Sequence, residues 1–148
     1  MGSKADTWEN GLLLLLFNNT AFTLVGDAAG LLPSAAAGSL YLSLHTSDPG
    51  EAGDQTTNET AYTSYARAAI ARSGAGFTVT GNSVVNAAIV DHPKCTASPG
   101  AAVTHFGVGT DSSGAGKLLY SGTLTTPITM SVGTIPRCEA GALAITES

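Results

Sequence analysis

SLYLSLHTSDPG, residues 39–50, decides the fold class. Leu40, Leu42 and Leu44 alternate with Tyr41, Ser43 and His45, the period of two that places apolar side chains on one face of a half-buried strand. Thr46-Ser47-Asp48-Pro49-Gly50 then ends the strand, because Pro49 fixes φ and has no N–H to give to a ladder. After a polar, acidic loop the chain returns at Tyr62-Thr63-Ser64-Tyr65-Ala66-Arg67, and Tyr65 to Ala71 reads as a second strand. Strand, turn, loop and strand predict antiparallel β-structure and carry no chemistry of their own.

Upstream, Asp6-Thr7-Trp8-Glu9 reads as a helix start, with Asp6 as N-cap and Glu9 completing a capping box. Trp8, Leu12, Leu13, Leu16 and Phe17 make the helix apolar on most faces, so it must lie on a sheet or in a subunit interface. Asn18-Asn19 suits its end, since Asn tolerates the left-handed conformation. Ala21 to Val25 could form a short strand, and Gly26 to Gly38, with Leu31, Leu32 and Pro33, is a small-residue connector or an arm onto a neighbour. Downstream, runs at Phe77–Thr80, Val84–Val90, Val103–Val108, Leu118–Leu124, Ile128–Val132 and Ala142–Ile145 are separated by Gly-, Pro- and Ser-rich turns, with 103–108 and 118–124 a plausible hairpin. About eight or nine short strands at roughly 8–12-residue spacing signal an all-β sandwich or barrel. We expect an antiparallel β-sandwich of jelly-roll type over residues 39–148, preceded by a short helix and connector in residues 1–38, in one globular domain overall.

Only 11% of the 148 residues are charged, while Gly, Ala, Ser and Thr abound, a surface suited to burial against neighbouring subunits. The net charge of −5 and the scattered Lys4, Arg67, Arg72, Lys94, Lys117 and Arg137 argue against nucleic acid, which needs clustered cations. Leu12–Phe17 is too short an apolar run to span a bilayer, so no membrane is expected as partner. Asp48, Glu51, Asp54 and Glu59 crowd the loop after the first strand, but the calcium-loop pattern of alternating acidic residues closed by Gly is missing, and a solvated loop is the plainer reading. Cys95 and Cys138 could form one disulfide or serve as two small buried residues.

No catalytic set emerges. His92-x-x-Cys95 has a spacing that zinc could use, yet His92 precedes Pro93 in a turn and His105 alternates on a strand. A nucleophile elbow is missing, and Gly107-Val108-Gly109 runs into strand, not into the helix a dinucleotide site needs. No pair of carboxylates is framed by aromatic residues as in a glycosidase cleft. No enzyme activity, cofactor or metal is therefore expected. Tyr62, Tyr65 and Arg67 have two readings: anchors of a subunit contact, or core seats with Arg67 paired to a carboxylate such as Glu59.

Five segments together resemble a family of small bacteriophage virion structural proteins, those labelled tail-fibre-like or capsid decoration and cement proteins. They are Leu40 to Gly50 (LYLSLHTSDPG), Ser64 to Arg67 (SYAR), Thr104 to Gly107 (THFG), Leu118 to Gly122 (LLYSG) and Ala140 to Ile145 (AGALAI). The resemblance runs from about Leu40 to the C-terminus and implies a non-enzymatic β-sandwich of the virion, working as a homo-oligomer. Trimers that bind the major capsid protein are the first expectation, a tail tube, baseplate or fibre component the second. A host-surface carbohydrate-binding module is a third, for which Tyr41, Tyr62 and Tyr120 are the available aromatic residues. Interface contacts are expected from Trp8, Leu12, Leu13, Leu16, Phe17, Leu31, Leu32, Tyr62, Tyr65 and Arg67. Two features depart from the family pattern: Ser64 stands where Gly is usual, and the connector 26–38 is long.

Overall fold

A computed structural model describes residues 2–148. The elements run α1 (Asp6–Asn18), β1 (Ser39–His45), β2 (Ala68–Ala71), β3 (Phe77–Thr80), β4 (Ser83–Asn86), β5 (Val90–Asp91), β6 (Val103–Gly109), β7 (Leu118–Ile128), β8 (Arg137–Cys138) and β9 (Ala144–Thr146). The protein is thus mostly β, with one short helix and antiparallel sheets. Its contacts group into two units: the described residues up to Ser39 with Ile70–Ile89 and Cys138–Ser148, and Leu40–Ala69 with Val90–Arg137.

In the first unit α1 lies against a three-stranded sheet of order β3-β4-β9. Leu13 and Phe17 face inward from the helix, and Phe17 meets Phe77 edge-on with ring centroids 4.8 Å apart. The helix begins one residue before the capping-box assignment. Ala5 is the N-cap, its carbonyl accepting from the amides of Trp8 and Glu9 at 2.8 and 3.1 Å, and no side chain caps the end. Asp6 falls inside the first turn, where its charge still complements the helix dipole. The other end closes as the sequence predicts, with Asn19 left-handed at φ 53° and ψ 39°. Arg72 seals that end: Nε donates to Leu16 O at 2.6 Å, Nη2 to Leu15 O at 2.8 Å, and Nη1 to Ala37 O at 3.0 Å. A guanidinium here satisfies carbonyls that the last helical turn leaves without partners.

The strand expected at Ala21–Val25 is reduced to one bridge, in which Phe22 and Leu31 exchange both backbone hydrogen bonds at 2.9 Å. The chain between them cannot stay extended. Leu24, Gly26 and Gly30 have φ of 69°, 84° and 70°, and the Asp27 carboxylate accepts from the amides of Ala29 and Gly30. The result is a compact arm that presents Leu24, Val25, Leu31 and Leu32 on its surface.

The second unit holds most of a four-stranded sheet of order β2-β1-β6-β7. β1 and β6 pair with Leu44 opposite Phe106 and His45 opposite His105, and the predicted hairpin of β6 with β7 forms with Val108 opposite Tyr120. Leu44, Tyr62, Cys95, Val103 and Met130 make its core, with Tyr65, Leu124 and Ile128 packed around it. β2 is shorter than the predicted Tyr65–Ala71 strand, because the chain turns first: the Tyr65 amide donates to Tyr62 O at 3.0 Å and Ser64 sits at φ 81°. A glycine takes that conformation without strain, which explains the glycine usual at this point of the motif. Both cysteines are free thiols, Cys95 buried and Cys138 half-buried.

Candidate functional site

The candidate site lies on the polar face of the β1–β6–β7 sheet, under and beside the loop that follows β1. Ser43 and His45 share a strand face by their spacing of two, and Gly107 on β6 lies against them. A Cβ at Gly107 would come within 2.7 Å of both His45 Nε2 and Ser43 Oγ, so only glycine fits there. His45 Nδ1 lies 2.8 Å from Thr57 O, an acceptor only, so Nδ1 carries the proton and Nε2 accepts from Ser43 Oγ at 2.8 Å. Burial lowers the His45 pKa and keeps the ring neutral, opposed by the Thr57 carbonyl. The pair has the contact of a serine nucleophile with its base, but both side chains are fully buried. His45 ties the loop to the sheet through Thr57 O, and Ser43 holds its ring from the strand side.

The loop itself is wired from within. Asp48 Oδ1 accepts from the Gly50 amide, and Asp54 Oδ1 accepts from the amide and hydroxyl of Thr56 at 2.8 and 2.6 Å. The Thr56 hydroxyl, more than any other group, holds the Asp54 carboxyl below its ordinary range. Gln55 is fully buried, its Oε1 accepting from the Asp111 amide at 2.9 Å. Gly109 and Gly116 make room for it, since a Cβ on either would come within 2.2 Å of the Gln55 side chain.

Glu59 closes the loop onto Arg67. Arg67 Nε donates to Glu59 Oε1 at 2.7 Å and Nη2 to Oε2 at 2.8 Å, a two-pronged pair, while its other bonds go to the carbonyls of Asp111 and Gly114. Tyr65 Oη donates to Glu59 Oε1 at 2.8 Å and accepts from the Leu44 amide at 3.1 Å. Burial, with Glu59 adding to it, pushes the Tyr65 phenol far above its usual range, so it stays a donor. Tyr62 is also buried, donates to Pro93 O at 2.7 Å, and is pushed up to about 12 by desolvation.

Beside this wiring a groove of about 480 Å³ stays open, lined by Asp48, Gly50, Glu51 and Gly53 of the loop, His105 of β6, and residues 118–123 of β7. His105 and Thr123 are paired across the strands, and Thr123 Oγ1 lies 3.2 Å from His105 Nε2. Thr104 Oγ1 donates to Thr46 O at 3.0 Å, so it accepts from His105 Nδ1 at 2.8 Å, and His105 Nε2 is left to accept from Thr123.

The residues singled out in the sequence separate by position. Leu13, Phe17, Tyr62 and Arg67 lie inside this chain's own packing, and Leu12, Leu16 and Tyr65 are half-buried. Trp8, Leu31 and Leu32 are at the surface, with Leu24 and Val25 beside the latter two in the chain. Leu24 carried no signal in the sequence, because its exposure follows from a left-handed φ that only the folded arm reveals. Of the six basic residues, Arg67 and Arg137 pair with Glu59 and Asp91, Lys4 with Glu147, and Arg72 with backbone carbonyls. Among the described residues no group of three or more His, Cys, Asp and Glu is placed to hold a metal ion, and no helix is long and apolar enough to cross a membrane.

The class of the protein is carried by a family match, which makes it a phage virion structural protein. Residues 3–146 match the family described as Podophage GP4 fiber I protein gp80, and the chain belongs to that family. No curated protein matches the chain.

Proposed function

We propose that this chain is a tail-associated component of the virion, a fibre-type structural subunit that assembles with further copies of itself. The observation that carries this reading is the family match over nearly the whole chain to a fiber protein. A second observation supports self-assembly: Leu24 is 80% and Leu32 69% exposed on one short, backbone-bonded arm. Side chains of that size gain free energy when a partner covers them, at about 25 cal/mol per Å² of apolar surface. Trp8 and Leu31 belong to the same proposed contact, a trimer is the expected count, and the jelly-roll packing of the sheets is part of the proposal. Decoration of the major capsid protein, the first expectation from the sequence resemblance, has no observation of the fold or of the match behind it. The subunit acts by geometry: it buries surface against copies and presents the rest of its fold to solvent.

Localisation tests the reading. Antibody labelling of purified particles, read by electron microscopy, should mark the tail, with few copies per particle by quantitative gel densitometry. Label spread over the capsid at hundreds of copies would overturn it. Replacing Leu32 with Asp should leave the subunit folded and shift it from oligomer to monomer in sedimentation velocity.

A further inference from the structure

We propose that the outer edge of β7, with residues 48–53 beside it, is a docking site for an extended, basic segment of another protein, which joins the sheet as a further strand. The contact is separate from the self-association assigned to the arm, because it calls for a partner of opposite charge.

The groove of about 480 Å³ follows an edge, not a face. Side chains of a strand alternate between its two faces, yet every residue from Leu118 to Thr123 borders the groove. Gly122 borders it with backbone alone, and a Cβ there would point the other way, to within 2.7 Å of the Phe106 ring. β7 is the last strand in the order β2-β1-β6-β7, so among the described residues no strand covers its outer side.

The register shows which backbone groups stand open. The Leu44 amide donates to Tyr65 Oη and the Leu44 carbonyl accepts from the Thr60 amide, so both point away from β6. Leu44 and Phe106 are therefore a non-hydrogen-bonded pair, and Phe106 turns its N–H and C=O towards Gly122. One residue to either side, Ser121 and Thr123 turn theirs outward, as the donors and acceptors of a new ladder. Residues 118–123 carry neither a charge nor a proline, two of the usual guards of a strand edge.

Charge selects the partner. Asp48 and Glu51 stand exposed on the loop wall, and no Lys or Arg borders the groove. Asp48 Oδ1 holds the Gly50 amide, which leaves its other oxygen for a ligand. A strand laid along β7 turns alternate side chains towards the loop, so Lys or Arg at positions two apart meets these carboxylates. The stretch 118–123 spans about 17 Å at roughly 3.3 Å per residue, room for a segment of about five or six residues. A second copy of this chain is the poorer occupant, since its net charge of −5 sets acid against acid.

The test follows amide shifts of the nitrogen-15-labelled full chain while blocked hexapeptides are added. The probe is acetyl-Thr-Lys-Val-Lys-Val-Thr-amide. Its controls are the same peptide with both lysines changed to glutamate, the lysine peptide N-methylated along its backbone, and spermidine, which has charge without a strand. The expected result is saturable movement of the amides of residues 50–53 and 118–123 with the lysine peptide, and none with the glutamate or N-methylated forms. Glu51→Gln should weaken the binding on the order of tenfold, the loss for one hydrogen bond to a charged acceptor. Ser121→Pro removes an outward N–H at an edge position, where proline is tolerated, and should abolish binding while the remaining amide spectrum stays unchanged. Should that variant fail to fold, the N-methylated peptide decides the same point on the native chain. Silence of these amides towards the lysine peptide would overturn the proposal. So would spermidine or the N-methylated peptide binding as strongly, or wild-type affinity in both variants. None of these outcomes bears on tail location or on self-association, which labelling and sedimentation decide separately.

Discussion

The loop after β1 and the arm after α1 are both long, polar-flanked connections, and they use their side chains in opposite ways. In the loop, Gln55 and Thr60 are buried, and Glu59 joins Arg67 and Tyr65 in one network. Three turns of the chain, at 54–60, 62–67 and 111–114, are thereby held by charge-assisted bonds inside a single unit. In the arm, one bridge and one aspartate hold the backbone, and leucines point outward. The loop closes on itself except at the buried Thr60 hydroxyl, which has no hydrogen-bond partner among the described residues; the arm is shaped for something else to cover. Where a connection's hydrogen bonds close internally, its polar residues are scaffold, and where apolar side chains stay exposed on an ordered backbone, the surface is the candidate for contact.

Breaking the loop's network should produce the largest effect. Arg67→Ala leaves the mostly buried Glu59 carboxylate without its cation and removes donors from the Asp111 and Gly114 carbonyls. Losing one partner of a buried pair costs about 3–5 kcal/mol, so urea unfolding should show a loss of that order. Adding Glu59→Gln should recover part of it, since the stranded charge is gone. Full stability in Arg67→Ala would mean that the loop is not held this way. The arm offers no equivalent substitution.

Acid should come next. His45 and His92 are buried and their pKa values lowered by desolvation, so the folded protein refuses protons that the unfolded chain accepts at about pH 6.5. Above that pH both are neutral in both states and stability is at its full value. Below it the unfolded state is favoured, by at most about 1.4 kcal/mol per pH unit for each histidine. Melting temperature should therefore fall between pH 6.5 and 5, before the lowered carboxyls of Asp54 and Asp91 contribute in stronger acid. A flat profile over that window would show that neither ring is held neutral.

How much of this was legible in the sequence differs between the same two regions. The alternation of Leu40, Leu42 and Leu44 is a local signal, and it places β1 and its apolar face correctly. The pairing of Arg67 with Glu59 was readable as one of two alternatives, but its bonds to the carbonyls of residues 111 and 114, far along the chain, were not. The groove was invisible, since His105 and Ser121 are ordinary strand positions in the sequence and only the folded loop sets Asp48 and Glu51 beside them. β2 was read too long because nothing local announces a left-handed Ser64. The helix end, by contrast, depends on Asn19 alone and was readable.

Ser64 and Leu24 bring the comparison to its finest point, because each is a left-handed residue that, unlike Asn19 and Asn58, belongs to a type that rarely tolerates that conformation. Such a residue costs about 1 kcal/mol or more relative to glycine. Ser64→Gly removes the strain but gives up the 2.6 Å bond between Ser64 Oγ and Thr96 Oγ1 and adds freedom to the unfolded chain. A net gain of a few tenths of a kcal/mol is expected, measured by the same unfolding curves. Leu24→Gly relieves the same strain with no hydrogen bond to lose, but it deletes the most exposed large apolar side chain of the arm. Monomer stability should hold or rise slightly while self-association in sedimentation velocity weakens. If association is unchanged, Leu24 takes no part in the contact and its strained backbone has no role in assembly. If monomer stability drops instead, the leucine serves its own fold, and the contrast between a self-satisfied loop and an outward-facing arm fails at its most exposed residue.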